Sequence, residues 1–171
     1  MNTARLRLRR LTQEDAPFVL QLVNEPSWLR YIGDRGVRTL DDAQVYLAKG
    51  PLEMYQRLGF GLLLVELAED GTPLGLCGLI KRDTLPDVDL GFAFLPGHWG
   101  KGYAREAAAA VLADGASSFG LQRVVAITSL DNQRSIQLLE KIGFRFERVI
   151  GGPEGSQLRL FAVDLTDAAT Q

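Results

Sequence analysis

Residues 89–119, DLGFAFLPGHWGKGYAREAAAAVLADGASSF, read as a strand, a glycine loop and a helix in succession. Asp89 to Leu95 is a short apolar and aromatic run with an acid at its head, and Pro96 ends it. Ala104 to Ala113 is alanine-rich, the strongest helix signal in the chain. Between them lies Gly97-His98-Trp99-Gly100-Lys101-Gly102-Tyr103-Ala104. Glycines there admit backbone conformations and close approaches that a side chain would block, and a helix start offers unpaired N–H groups with partial positive charge. Such a turn suits a phosphate, although a bare glycine turn serves equally as a plain structural connection.

The spacing excludes two common phosphate ligands. A nucleotide-hydrolysing loop needs Ser or Thr after Gly-Lys to hold magnesium, whereas Gly102 follows Gly100-Lys101 here. A dinucleotide fingerprint needs G-x-G-x-x-G with an acid about twenty residues on. This loop is G-x-x-G-x-G, and the next acids, Glu106 and Asp114, fall within the helix.

Working outward, Arg5 to Leu11 alternates Arg and Leu. As a strand it buries Leu6 and Leu8 and leaves Arg5, Arg7 and Arg9 on a solvated face. Thr12 with Asp15 forms a capping arrangement, and Pro17 sits where a helix start tolerates it, so a first helix runs to about Val23. Asn24 to Val37 is irregular, with Trp28 and Tyr31 either facing a substrate or pinning the loop to the core. Thr39 caps a second helix, Leu40 to Lys49; Gly50-Pro51 breaks or restarts it, and Pro51 to Leu58 is helical again. Phe60 to Ala68 and Leu74 to Lys81 form a hairpin about the turn Glu69 to Pro73, and Val88 to Leu95 continues the meander. Beyond the long helix come a strand, Gln122 to Thr128, a helix capped by Asp131 or Asn132 and stopped at Gly143, and two strands, Phe144 to Ile150 and Gln157 to Asp164. Ala168 to Gln171 is expected to fray. The fold class is α+β: one domain over residues 1–171, with a central, mostly antiparallel mixed sheet flanked by about four helices.

Composition narrows the function classes. The 171 residues are 46% hydrophobic and 23% charged, with net charge −2. That balance fits one core and offers no field for a polyanion, so no nucleic-acid partner is expected. Cys77 is the only cysteine and His98 the only histidine. An internal disulfide and a cysteine-rich metal site are thereby excluded, and no metal cofactor is expected. Cys77, within Leu74-Gly75-Leu76-Cys77-Gly78-Leu79, reads as a packed thiol, not an acyl-carrying nucleophile. The arginine-rich start lacks a hydrophobic h-region and no apolar run spans a bilayer, so a cytoplasmic protein with no membrane partner is expected.

Two blocks carry a resemblance. Trp99-Gly100-Lys101-Gly102-Tyr103-Ala104 resembles the acetyl-CoA pyrophosphate loop, Q/R-x-x-G-x-G/A, of the GNAT superfamily of N-acetyltransferases. Its setting, from Asp89-Leu90-Gly91-Phe92 and Pro96 to Ala107, resembles the Rim-type branch of ribosomal-protein alanine acetyltransferases. Asp131-Asn132-Gln133-Arg134-Ser135-Ile136 with Leu138-Leu139-Glu140-Lys141-Ile142-Gly143-Phe144 is similar to that branch's N-x-x-S-x-x-L-L-E-K-x-G-F block.

The resemblance implies direct transfer of acetyl from acetyl-CoA to an amine, with no covalent enzyme intermediate. It assigns the pyrophosphate to the backbone of Gly100, Lys101, Gly102, Tyr103 and Ala104 beside Trp99. It places the pantetheine arm against the backbone of Leu95 on one side and Asn132 and Ser135 on the other. Asp89, two residues before Gly91, becomes the group that takes the proton, through water because an ordinary Asp is a weak base. Trp99 stands where the loop pattern has Gln or Arg, a replacement the Rim-type branch shows. Leu139 stands where many relatives have the tyrosine that protonates the leaving sulfur, which leaves that role to Ser135 or solvent. The implied acceptor is a protein or peptide α-amine. A small amine remains an alternative, with Glu25, Asp34, Asp41 and Asp42 as acids for a polyamine, and a catalytically silent acyl-CoA-binding module is a third reading. A monomer or homodimer is expected.

Overall fold

The structure, a computed structural model, describes residues 1–166. Seven strands form one sheet in the order β1-β2-β3-β4-β5-β7-β6. They are β1 (Leu6–Arg10), β2 (Leu62–Leu67), β3 (Pro73–Ile80), β4 (Asp89–Phe94), β5 (Arg123–Ser129), β6 (Arg145–Gly151) and β7 (Gln157–Asp164). Every pairing is antiparallel except β4 with β5. The helices are α1 (Ala16–Val23), α2 (Pro26–Tyr31), α3 (Leu40–Leu47), α4 (Glu53–Leu58), α5 (Tyr103–Phe119) and α6 (Gln133–Lys141). This is the expected α+β architecture, and the frayed end expected at Ala168 to Gln171 lies outside the described residues.

Local chemistry explains the helix starts. Thr12 and Thr39 each accept a hydrogen bond from the first turn while Asp15 and Asp42 reach back to the cap, two complete capping boxes. Asn132, of the two candidates, caps α6 by accepting from the Ser135 N–H at 3.3 Å. Two segments differ from expectation. The stretch read as irregular holds the short helix α2, which starts at Pro26 and buries Trp28. Gly50-Pro51 does not break the chain between α3 and α4; a wide π-type turn over Ala48–Leu52 carries the helix through.

Two apolar layers sandwich the first four strands. Leu64 and Leu76 pack with Val19, Leu22, Trp28, Ala43 and Leu47 of α1 to α3. On the opposite face, Leu6, Leu8, Val65, Cys77 and Leu79 pack with Ala107, Ala108, Val111 and Leu112 of α5 and with Leu139 of α6. The arginines of β1 are engaged, not merely solvated: Arg7 and Arg9 pair with the buried Glu66, and Arg9 also binds Asp15 at 2.9 Å. No helix among the described residues is long and apolar enough to cross a membrane.

Candidate active site

The sheet forks at its centre. β4 and β5 are paired at Asp89 with Val125, where the Val125 N–H donates to the Val88 carbonyl at 3.0 Å. Beyond that point the strands part, and a cleft of about 760 Å³ runs between Leu90 to Phe94 on one wall and Ile127 and Thr128 on the other. Alternation along β4 decides which backbone groups face it. The Leu95 N–H donates to the Leu74 carbonyl at 2.9 Å, so odd-numbered residues of this run turn toward β3. Leu90, Phe92 and Phe94 therefore turn their backbone toward the fork.

That register corrects one expectation. Leu95 was placed by resemblance against the pantetheine arm, but its N–H is bound to Leu74 and its carbonyl accepts from the His98 N–H at 3.0 Å. Its side chain packs into the core layer beneath α1 to α3, and it does not line the cleft. Beyond the bridge of Asp89 with Val125, the open strand edge begins at the Leu90 carbonyl and continues through Phe92. The Phe94 carbonyl is already held by the Trp99 indole N–H at 2.9 Å.

The glycine loop stands at the mouth of the fork. Gly100 and Gly102 adopt φ of +76° and +81°, a region that side chains disfavour. Among the described residues, no acceptor meets the N–H groups from Gly100 through Arg105, which include the free first turn of α5. A cradle of bare amides at a helix start fits a pyrophosphate by charge and by shape. Gly100, Gly102, Tyr103, Ala104 and Trp99 line the cleft, whereas the Lys101 side chain is exposed and does not. Arg134 lies 4.5 Å above the Trp99 ring, so a cation stands by where the loop pattern would have Gln or Arg. Asn132 and Ser135 line the facing wall, and Leu139 is fully buried beneath them.

Asp89 sits at the apex. It is 1% exposed yet lines the cleft, with one carboxylate oxygen 3.1 Å from the Arg82 Nε and the other, Oδ1, without a partner. Burial pushes its pKa above the usual carboxylate range, against the pull of the Arg82 guanidinium. Thr128 offers a second buried and unpartnered polar atom, its Oγ1, on the same cleft. Unmatched polar atoms cost free energy in a sealed core, which marks this apex as a place for polar company.

Past Asp89 the cleft continues to Glu25, Trp28, Tyr31, Arg35, Tyr46 and Met54. Burial raises the Tyr46 pKa, opposed by the charges of Arg35 and Arg82. Of the four acids noted for a polyamine, only Glu25 lines this end. Asp34 pairs with Arg38, and Asp42 caps α3. Cys77 is fully buried in the apolar layer, and burial drives its thiol pKa upward. His98 is half-buried on the cleft wall. Sequence reasoning missed Arg82, Arg35 and Tyr46. The available signal was Arg82 standing just across the turn from the acid at the head of β4.

A fork in a sheet with an amide cradle at its mouth and a buried carboxylate at its apex suits a ligand with a phosphate head and an extended arm that ends beside a proton acceptor. The chain belongs to the GNAT acetyltransferase family: the model described as Acetyltransferase (GNAT) domain matches residues 5–145. It is an enzyme that transfers acetyl from acetyl-CoA to an amino group. It is 28% identical over 153 residues to YoaA, an uncharacterised N-acetyltransferase of Bacillus subtilis, covering 88% of this chain and 85% of that one. Its structure matches the acetyltransferase from Agrobacterium tumefaciens with a TM-score of 0.81 at 26% identity, over 95% and 92% of the two chains. It shares its fold with RimL, the ribosomal L7/L12 α-N-protein acetyltransferase solved with coenzyme A, at a TM-score of 0.81 and 17% identity over 95% of each chain.

Proposed function

We propose that this enzyme acetylates the α-amine of a protein or peptide by direct transfer, with Asp89 drawing off the proton through a bridging water. The observation that carries the reading is the Asp89 Oδ1, buried at the apex of the fork and left without a partner on the cleft side. Acetyl-CoA supplies an acetyl thioester whose carbonyl is open to a neutral amine.

The amides from Gly100 to Ala104 hold the pyrophosphate, and the Leu90 and Phe92 backbone, with Asn132 and Ser135 opposite, aligns the pantetheine arm. Asp89 takes the amine proton as the new C–N bond forms and the C–S bond breaks. Because Leu139 is sealed in the core, the departing sulfur receives its proton from Ser135 or solvent. Burial makes Asp89 a better base than an exposed Asp, since it raises the proton affinity of the carboxylate. The demand is modest for an α-amine of pKa about 8, roughly 10% neutral at pH 7, but heavy for a lysine side chain, neutral to roughly one part in two thousand.

The acceptor end supports an α-amine over a polyamine. A chain of ammonium groups calls for several free carboxylates, and this end presents Glu25 among Trp28, Tyr31, Tyr46 and two arginines. Thiol release from acetyl-CoA, measured with a panel of N-terminal peptides, amino acids and polyamines, tests the reading. Peptides are expected to turn over best. Turnover confined to polyamines would return the small-amine alternative, and coenzyme A binding without thiol release from any amine would return the silent module.

A further inference from the structure

The glycine loop is held from behind by the start of the chain. Arg5 Nη1 donates to the Lys101 carbonyl at 2.9 Å, and Arg5 Nε donates to Glu106 Oε1 at 2.8 Å. The backbone N–H of Arg5 donates to Glu106 Oε2 at 3.0 Å, and the Thr3 hydroxyl donates to the same oxygen. The guanidinium lies 4.5 Å above the Tyr103 ring. A Cβ at Gly102 would come within 3.3 Å of Arg5 Nη2. One arginine thus touches the loop, its hinge glycine and the first turn of α5.

A phosphate cradle made of backbone requires each peptide to turn its N–H inward and its carbonyl outward. The Gly102 carbonyl is fixed because it accepts from the Glu106 N–H at 3.1 Å. The Lys101 carbonyl precedes the helix and has no helical donor. Its peptide runs into Gly102, so on that side no side chain resists rotation. Arg5 supplies the missing donor. Glu106 raises a second problem, because a carboxylate one turn into α5 opposes an incoming phosphate. Arg5 and Thr3 hold that charge away from the cleft, which Glu106 does not line. Burial raises the Glu106 pKa, but the hydrogen bonds from Thr3 and Arg5 outweigh it and keep the carboxylate below its usual range.

We propose that Arg5 is a positioning residue for donor recognition: it fixes the peptide between Lys101 and Gly102 with its N–H toward the cofactor phosphate and turns the Glu106 charge away. The proposal rests on the reading of the loop as the pyrophosphate cradle.

The test compares two donors, acetyl-CoA and S-acetyl-pantetheine, which shares the thioester and arm but lacks the pyrophosphate. Arg5→Ala is expected to weaken coenzyme A binding in calorimetry about tenfold and to lower kcat/KM for acetyl-CoA by a similar factor, the scale of one lost charge-assisted hydrogen bond. Its kcat/KM for S-acetyl-pantetheine stays within about twofold of the parent. Arg5→Lys does not restore the preference, because an ammonium lacks the fork that spans Lys101 and Glu106. Equal losses on both donors, or unchanged coenzyme A affinity in Arg5→Ala and Arg5→Lys, would overturn the proposal. A parent enzyme that does not prefer acetyl-CoA to S-acetyl-pantetheine would instead overturn the reading of the loop itself.

Discussion

Replacing Asp89 with Asn separates the chemistry of the apex from its packing. The side chain keeps its size in a site 1% exposed, and only the charge and the basic oxygen are lost. A positioned base contributes about 10²–10⁴-fold, so turnover with a confirmed acceptor should fall by that factor, about 3–5 kcal/mol of barrier. Coenzyme A affinity should stay close to the parent, because the amide cradle and α6 wall are untouched. Stability provides the control. The folded pKa of Asp89 is raised, so its contribution is fully present below the unfolded carboxylate pKa and is lost as pH rises through the folded value. At neutral pH the ionised carboxylate is therefore a cost to the fold, and Asp89→Asn should melt no lower than the parent at pH 7.5. Arg82, 34% exposed, can re-solvate when its partner is neutralised. The pH profile completes the assay: the variant should recover as pH approaches the amine's own pKa near 8, where solvent removes the proton unaided. A variant matching the parent from pH 6 to 9 would refute the reasoning. So would a lost activity accompanied by a lost fold.

Gly102→Ala should weaken coenzyme A binding by about tenfold through roughly 1–2 kcal/mol of left-handed backbone strain and displacement of Arg5, with an unchanged far-ultraviolet spectrum; full affinity in calorimetry would exclude the loop. Cys77→Ala should retain most turnover and lose about 1 kcal/mol of stability as a core residue, and an acetyl group on Cys77 in mass spectrometry would contradict direct transfer. Ser135→Ala should lower turnover by no more than about tenfold if solvent shares the acid role, whereas a loss of 10³-fold would make the hydroxyl indispensable. Asp15 is raised by burial but lowered further by its bonds to Arg9 and the Thr12 N–H, so its stabilisation is present above the unfolded pKa and is lost as pH falls through the folded one. Asp15→Asn should accordingly cost about 1 kcal/mol at pH 7 and much less at pH 3, read from melting temperatures.

What the sequence disclosed was local. The strand, loop and helix over residues 89–119, both capping boxes and the order of the remaining strands follow from periodicity, caps and glycines, and all are present. The helix α2 was hidden because six residues hold under two turns, too few for a period to emerge, and Trp28 fits a buried turn and an irregular loop equally well. The wide turn that carries α3 into α4 was hidden because Gly-Pro is a local breaker whose effect here is overridden by helical packing on both sides. Asp89 was recognisable as an acid at a strand head, but its raised pKa depends on burial at the fork, which no spacing encodes. The Arg5 contacts with Lys101 and Glu106 join residues about a hundred positions apart. From the sequence alone, that arginine is one of several on a solvated strand face.

The misplacement of Leu95 shows how finely the site depends on the sheet. In an antiparallel pair, alternate residues present their backbone to opposite neighbours, so the pairing of β4 with β3 decides which residues remain free for the cofactor. A slip of one residue would engage Leu90 and Phe92 with β3 and send the Asp89 side chain to the other face of the sheet. The hydrophobic pattern of β3, buried on both faces along most of its length, specifies a central strand but fixes no parity by itself. Parity is anchored at the ends of β4: the Leu95 N–H on the Leu74 carbonyl at one end, and the Val125 N–H on the Val88 carbonyl at the other. Beyond the bridge of Asp89 with Val125 the strand edge parts from β5, and the same geometry that opens the cleft brings the buried carboxylate to its apex.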